Sequence, residues 1–265
     1  MRRHARVPVL CALVTWATLV GMVAGADEPA AKLRLWHVGN SWSVPFPFEQ
    51  VGHFERPFVL HTHRFNGGTG PNWLDQALET DKKQVLVKGE FDAVYLGFVQ
   101  LAQPVESLDQ MADLAVKHKP DCRIYLQHAW ASGGGGDGRP KGRRDDDDLA
   151  MIDAEWATRR KKLEDKTDEI NTRLGKRVVF ISPLADAVMR MRRMVVAGTL
   201  PGVTKQSELF YDLDEPLRRD DHGAGHIGVL TVYCAHAAIY RKSPEGLAVP
   251  ADGSKPAATA PAQTP

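Results

Sequence analysis

Five short apolar runs, spaced by stretches with helical periodicity, constrain the fold of this 265-residue chain more than any other feature. Leu33-Arg34-Leu35-Trp36-His37-Val38 alternates as a strand does, and Phe58-Val59-Leu60-His61-Thr62-His63 repeats the pattern. Residues 91–97, 122–127 and 177–181 are nearly continuous apolar runs, the pattern of strands buried on both faces of a parallel sheet. Residues 72–88, 107–119 and 149–174 read as helices. Consecutive parallel strands need a long crossover, usually a helix. The alternation therefore predicts an α/β domain, a three-layer sandwich whose mainly parallel sheet is covered on both faces. A hydrophobic content of 43% supplies one core, so a single domain over residues 27–250 is expected.

The two ends of the chain read differently from this body. Residues 1–26 carry Arg2, Arg3 and Arg6, then an apolar run over 7–23, then Ala24-Gly25-Ala26, the layout of a secretory signal with its cleavage site. The mature chain is expected to begin near Asp27 and to be exported, to the periplasm or the exterior. An uncleaved anchor is the alternative, because an apolar run of about 17 residues lies at the lower limit of a membrane span. Removing three arginines from 34 basic residues leaves 31 against 33 acidic, a net charge of −2, and nothing in that balance points to nucleic acid. Residues 251–265 are rich in Pro, Ala and Thr without periodicity and read as a disordered tail.

Within the body, residues 132–148 hold four consecutive glycines, then Lys141, Arg143 and Arg144, then four aspartates. They read as a flexible surface insertion whose acids cap the following helix, with a calcium site as the sharper alternative. That helix is dense in charge, reads as an exposed cover, and has Gly175 as its stop signal. Met189, Met191 and Met194 read as a packed helix face. Cys11 leaves with the signal; Cys122 and Cys234 stand in apolar settings and read as free buried thiols, with a disulfide, which export permits, as the alternative. No close Cys/His spacing suggests a metal centre.

Gly39-Asn40-Ser41 follows the first strand directly. A serine hydroxyl becomes a nucleophile when an imidazole takes its proton, and a carboxylate fixes that imidazole. Asp220-Asp221-His222-Gly223-Ala224-Gly225-His226 supplies both groups far downstream. Asn66-Gly67-Gly68-Thr69-Gly70, after the second strand, offers backbone N–H groups for an oxyanion. His128 and Trp130 close a central strand at the end where α/β folds place ligands, and are substrate-contact candidates. The bland readings stand beside these. Gly-Asn-Ser suits an ordinary turn, and His61 and His63, alternating on a strand, suit a surface. His222, His226 and Asp221 also make a thin metal-ligand case, against which Gly223 and Gly225 argue by disfavouring a regular helix there.

Val38-Gly39-Asn40-Ser41 resembles the first sequence block of the SGNH (GDSL-type) hydrolases, with asparagine where aspartate is usual. Gly67-Gly68-Thr69 followed by Trp73 resembles the second block. The Asp/His stretch, the apolar run over 227–240 and Ser243-Pro244-Glu245-Gly246-Leu247 resemble the last block and closing helix of exported planctomycete-like bacterial members. The resemblance implies a flavodoxin-like sandwich and ester hydrolysis without cofactor or metal, on a substrate such as an acylated carbohydrate. It implies Ser41 as nucleophile, His226 or His222 as base, and Asp221 or Asp220 as the orienting acid. Ser41 and Gly68 N–H groups, with the Gln100 amide, would hold the oxyanion. Two departures are plain. The third block, usually Gly-x-Asn-Asp, is Gly97-Phe98-Val99-Gln100, and no aspartate stands three residues before a histidine. Distance to Ser243-Pro244 favours His222, whereas Ile227-Gly228 and Tyr233 favour His226, which ranks first. A non-catalytic carbohydrate-binding or scaffolding protein with the same fold, and a metal-dependent hydrolase using the Asp/His cluster, are the competing readings.

Overall fold

The computed structural model describes residues 33–39, 58–64, 72–79, 83–99, 106–128, 130, 148–210 and 225–247, and all of them belong to one compact unit. Five strands form one sheet: β1 Leu33–Gly39, β2 Phe58–Arg64, β3 Ala93–Val99, β4 Arg123–His128 and β5 Val179–Ser182. Every pairing is parallel, and the order is β2-β1-β3-β4-β5. This is the flavodoxin-like order, in which the chain steps from β1 to an edge and returns on the other side of β1. All five predicted strands form, each within two residues of its expected limits.

The alternation of β1 divides the core. Leu35, Ala93, Tyr95 and Tyr125 pack in one cluster with α5 (Leu184–Val196) and α6 (Gly225–Tyr240). Trp36, Val38, Val94, Leu96, Ile124 and Leu126 pack in a second, with α1 (Asn72–Glu79), α2 (Gln84–Val87) and α3 (Glu106–His118). A period of two puts neighbouring strand residues on opposite faces, so apolar residues at consecutive positions serve helices on both. The single helix expected over 72–88 is instead two, α1 and α2.

The long helix α4 (Leu149–Arg173) starts where its aspartates predict. The Asp148 carboxylate accepts hydrogen bonds from the Ala150 and Met151 N–H groups at 2.9 and 3.4 Å, filling two positions that the first helical turn leaves open. A narrow stripe of Ile152, Trp156, Leu163, Thr167 and Ile170 is buried while most of its surface is charged. Pairs four residues apart, Glu155 with Arg159, Arg160 with Glu164 and Lys161 with Asp165, line the solvent side. Arg173 reaches Asp109 and Asp113 of α3, and Asp153 takes Arg193 of α5. Near its end, Asn171 accepts from the Val178 and Val179 N–H groups at 2.8 Å and donates to the Val179 carbonyl at 2.9 Å, so one side chain pairs the start of edge strand β5.

Cys122 and Cys234 are free and buried. Met189 is buried in the first cluster and Met191 packs against it. Among the described residues no helix is long and apolar enough to cross a membrane. Residues 1–26, expected as a signal, nearly all of 132–148, expected as an insertion, and 251–265, expected as a tail, lie outside the described residues, as do the side chains of His61 and His63.

Candidate active site

In a doubly wound sheet, ligands bind beyond the carboxyl ends of the strands. Gly39 ends β1 opposite Arg64 of β2, Val99 ends β3 opposite His128 of β4, and Gln127 stands opposite Ser182 of β5. The end of β3 is irregular. Leu96 pairs with Leu126 and Val99 with His128, so three steps along β3 match two along β4. One extra residue is thus absorbed at Gly97-Phe98, a bulge of the kind that re-aims strand ends beside functional sites. It coincides with the block that departs from the SGNH pattern.

His128 is buried, its ring 4.6 Å from that of Trp156 and inclined at 58°. The Trp156 indole N–H donates to Asp186 Oδ1 at 3.0 Å, and the same oxygen takes Arg160 at 2.7 Å. A chain of contacts from α4 and α5 therefore backs the end of β4. Trp130 is 1% exposed and belongs to the same buried cluster as Ile227 of α6.

His226 lies in the first turn of α6, which begins at Gly225, whereas His222 and Gly223 lie outside the described residues. Arg241, the residue after α6, lies over Phe180 in the amino half of β5. Sixteen residues make α6 about 24 Å long at about 1.5 Å per residue. Its first turn therefore stands toward the carboxyl edge of the sheet. His226 is partly buried, and its Nδ1 is enclosed with no hydrogen-bond partner among the described residues. The closing motif ties back to the same helix: the Tyr233 hydroxyl donates to the Leu247 carbonyl at 3.3 Å, and the Leu247 N–H to that of Pro244 at 3.1 Å.

A buried polar row, not expected from the sequence, lies beneath this edge. His37 and Tyr95 meet edge to face, with ring centroids 5.9 Å apart. The Tyr95 hydroxyl donates to Ser182 Oγ at 2.9 Å. Burial lowers the His37 pKa to about 3, so its imidazole is neutral, and burial likewise pushes the Tyr95 hydroxyl up. Gln127 is fully buried, and neither its amide oxygen nor its nitrogen has a hydrogen-bond partner among the described residues. The available signal was parity: His37 and Gln127 stand two residues from Leu35 and Tyr125 and so share the face that bears the tyrosines.

Ser41, Gly68, Gln100, Asp220, Asp221 and His222 lie outside the described residues. In the chain, Ser41 comes two residues after β1, Gly68 four after β2 and Gln100 one after β3, while His222 comes three before α6. Of the predicted site residues, His128, Trp130 and His226 are described. Among the described residues no three His, Cys, Asp or Glu side chains are grouped so as to hold a metal ion. The chain matches no protein-family model and no curated protein.

Proposed function

We propose that this protein is an exported serine hydrolase of the SGNH type, a three-layer α/β sandwich that cleaves an ester such as an acyl group on a carbohydrate. The observation that carries the reading is topological. In a parallel 2-1-3-4-5 sheet, Ser41 follows the carboxyl end of β1 by two residues, and His226 opens α6 toward the same edge. Covalent geometry, at most about 3.6 Å per residue, tethers Ser41 close to Gly39.

In this reading Ser41 Oγ attacks the carbonyl carbon while His226 Nε2 takes its proton. The developing oxyanion is held by the Ser41 and Gly68 N–H groups and the Gln100 amide. Collapse expels the alcohol, which takes the proton from the imidazolium, and water then releases the acid from the acyl-enzyme by the same steps. Asp221 or Asp220 would orient the imidazole at Nδ1, the atom enclosed without a partner among the described residues. His222 is the second candidate for the base. The neutral row beneath the edge supplies an interior free of competing charge.

That lone Nδ1 also favours the second reading, a carbohydrate-binding protein that keeps the fold without the chemistry. A fluorophosphonate probe and a kinetic series distinguish the two. The probe is expected to label Ser41, and Ser41→Ala and His226→Ala should each lower kcat on short-chain aryl acetates by about 10³-fold or more, with the double variant little worse. A wild-type protein that neither takes the label nor turns over any acyl ester defeats the hydrolase reading. Export is checked by N-terminal sequencing of protein from its native host, which should begin near Asp27.

A further inference from the structure

At the amino edge of the sheet, away from the proposed ester site, three arginines gather on two aromatic rings. The Arg177 guanidinium lies 5.2 Å from the centroid of the Phe180 ring and that of Arg241 lies 5.6 Å from it. Phe180 in turn meets Tyr125 at 5.7 Å, and Arg123, the first residue of β4, reaches the Tyr125 hydroxyl. Arg177 and Arg241 are exposed and Arg123 is half-buried. Among the described residues none of the three has a carboxylate in ion-pair range, whereas Arg34, Arg159, Arg160, Arg173 and Arg193 each have one.

The backbone at Arg241 adds a second, independent observation. Helices α2, α4 and α5 all end on a left-handed glycine: Gly89, Gly175 and Gly198, with φ of 64°, 66° and 67°. Helix α6 is also followed by a left-handed residue, whose N–H bonds to the Ala237 carbonyl at 3.0 Å, yet that residue is Arg241, at φ 57°. This position favours glycine because a Cβ crowds the carbonyl. A long cation held there at a backbone cost points to use of its side chain, since strain of this kind collects at functional positions. Attraction to the helix dipole alone explains less. A cation in the last turn serves that purpose without left-handed backbone, and the last turn of α6 has none.

We propose that Arg123, Arg177 and Arg241 form a binding site for a sulfate or phosphate group of an anionic ligand. Arg177 and Arg241 lie over the Phe180 ring while Arg123 reaches the Tyr125 hydroxyl, and guanidinium forks bind tetrahedral oxyanions bidentately. The ring faces supply the orientation; with no carboxylate in ion-pair range among the described residues, the charge is left for a ligand.

The test uses the full chain and three probes: inorganic sulfate, inorganic phosphate and dextran sulfate, titrated by calorimetry at low salt and again at about 200 mM salt. Binding is expected to weaken with salt, as charge-driven association does. Arg177→Gln/Arg241→Gln should weaken it by about tenfold or more, while the control pair Arg159→Gln/Arg193→Gln stays within about twofold. Saturable binding of the free ions identifies a single-group pocket, and binding confined to dextran sulfate identifies repeated groups on a polymer. Both outcomes support the site. Arg241→Gly separates ligand binding from a structural role, for it should hold or raise Tm while weakening binding. The proposal is overturned if no probe binds the wild type, if the control pair loses as much as the test pair, or if Arg241→Gly lowers Tm and leaves binding intact.

Discussion

His37 couples the stability of this fold to pH. It stands on a central strand between β2 and β3, in register with Thr62 and Tyr95, and it is wholly buried. Burial disfavours the imidazolium and lowers the folded-state pKa to about 3, against an ordinary value of 6.5. The unfolded chain therefore binds a proton that the folded chain refuses below pH 6.5. The stabilising contribution is complete above pH 6.5 and is lost as pH falls toward 3, by an amount on the order of 5 kcal/mol. His37→Leu should remove most of that acid sensitivity. The check is urea unfolding from pH 7 to pH 4, and equal slopes of stability against pH in the two proteins would show that His37 is not the group responsible. Polar residues at 37 and 127 are legible as letters in the sequence; their burial is not, because it depends on which helices close over that face.

Among the elements, α4 shows how local rules and packing divide the work. Its start was legible in the aspartate run, since a carboxylate before a helix satisfies orphan N–H groups wherever the helix lies. Asp148→Ala should cost about 1 kcal/mol, read as a lower urea midpoint at constant slope. An unchanged midpoint would mean that Asp147 or another acid takes over the cap. The buried stripe was harder to read than the cap. Trp156, Leu163 and Ile170 are few among many charges, and only the surfaces of β4, α3 and α5 select them as the inner face. The split of residues 72–88 into α1 and α2 was likewise hidden, because both pieces keep apolar residues at helical spacing and Leu74 and Leu86 enter one cluster.

For the molecule as a whole, one parallel sheet with helices against it places the two cysteines in different clusters, Cys122 with Trp36 and Leu126, and Cys234 with Tyr95 and Val188. Burial pushes their thiols up to about 11 and about 12, so neither supplies thiolate at neutral pH. A chromogenic disulfide reagent at pH 8 should leave both untouched in the native protein and modify both in denaturant. Rapid reaction of either in the native state would contradict the packing described. Strand number, parallel direction and the capped start of α4 follow from the sequence by itself, because hydrophobic period, run length and cap chemistry act within a few residues. The tertiary structure alone decided the strand order that turns β1 inward, the bulge that shifts Val99 onto His128, the burial of His37 and Gln127, and the gathering of Arg123, Arg177 and Arg241 on one pair of rings. These features join residues far apart in the chain, and no local pattern carries the free energy that selects them.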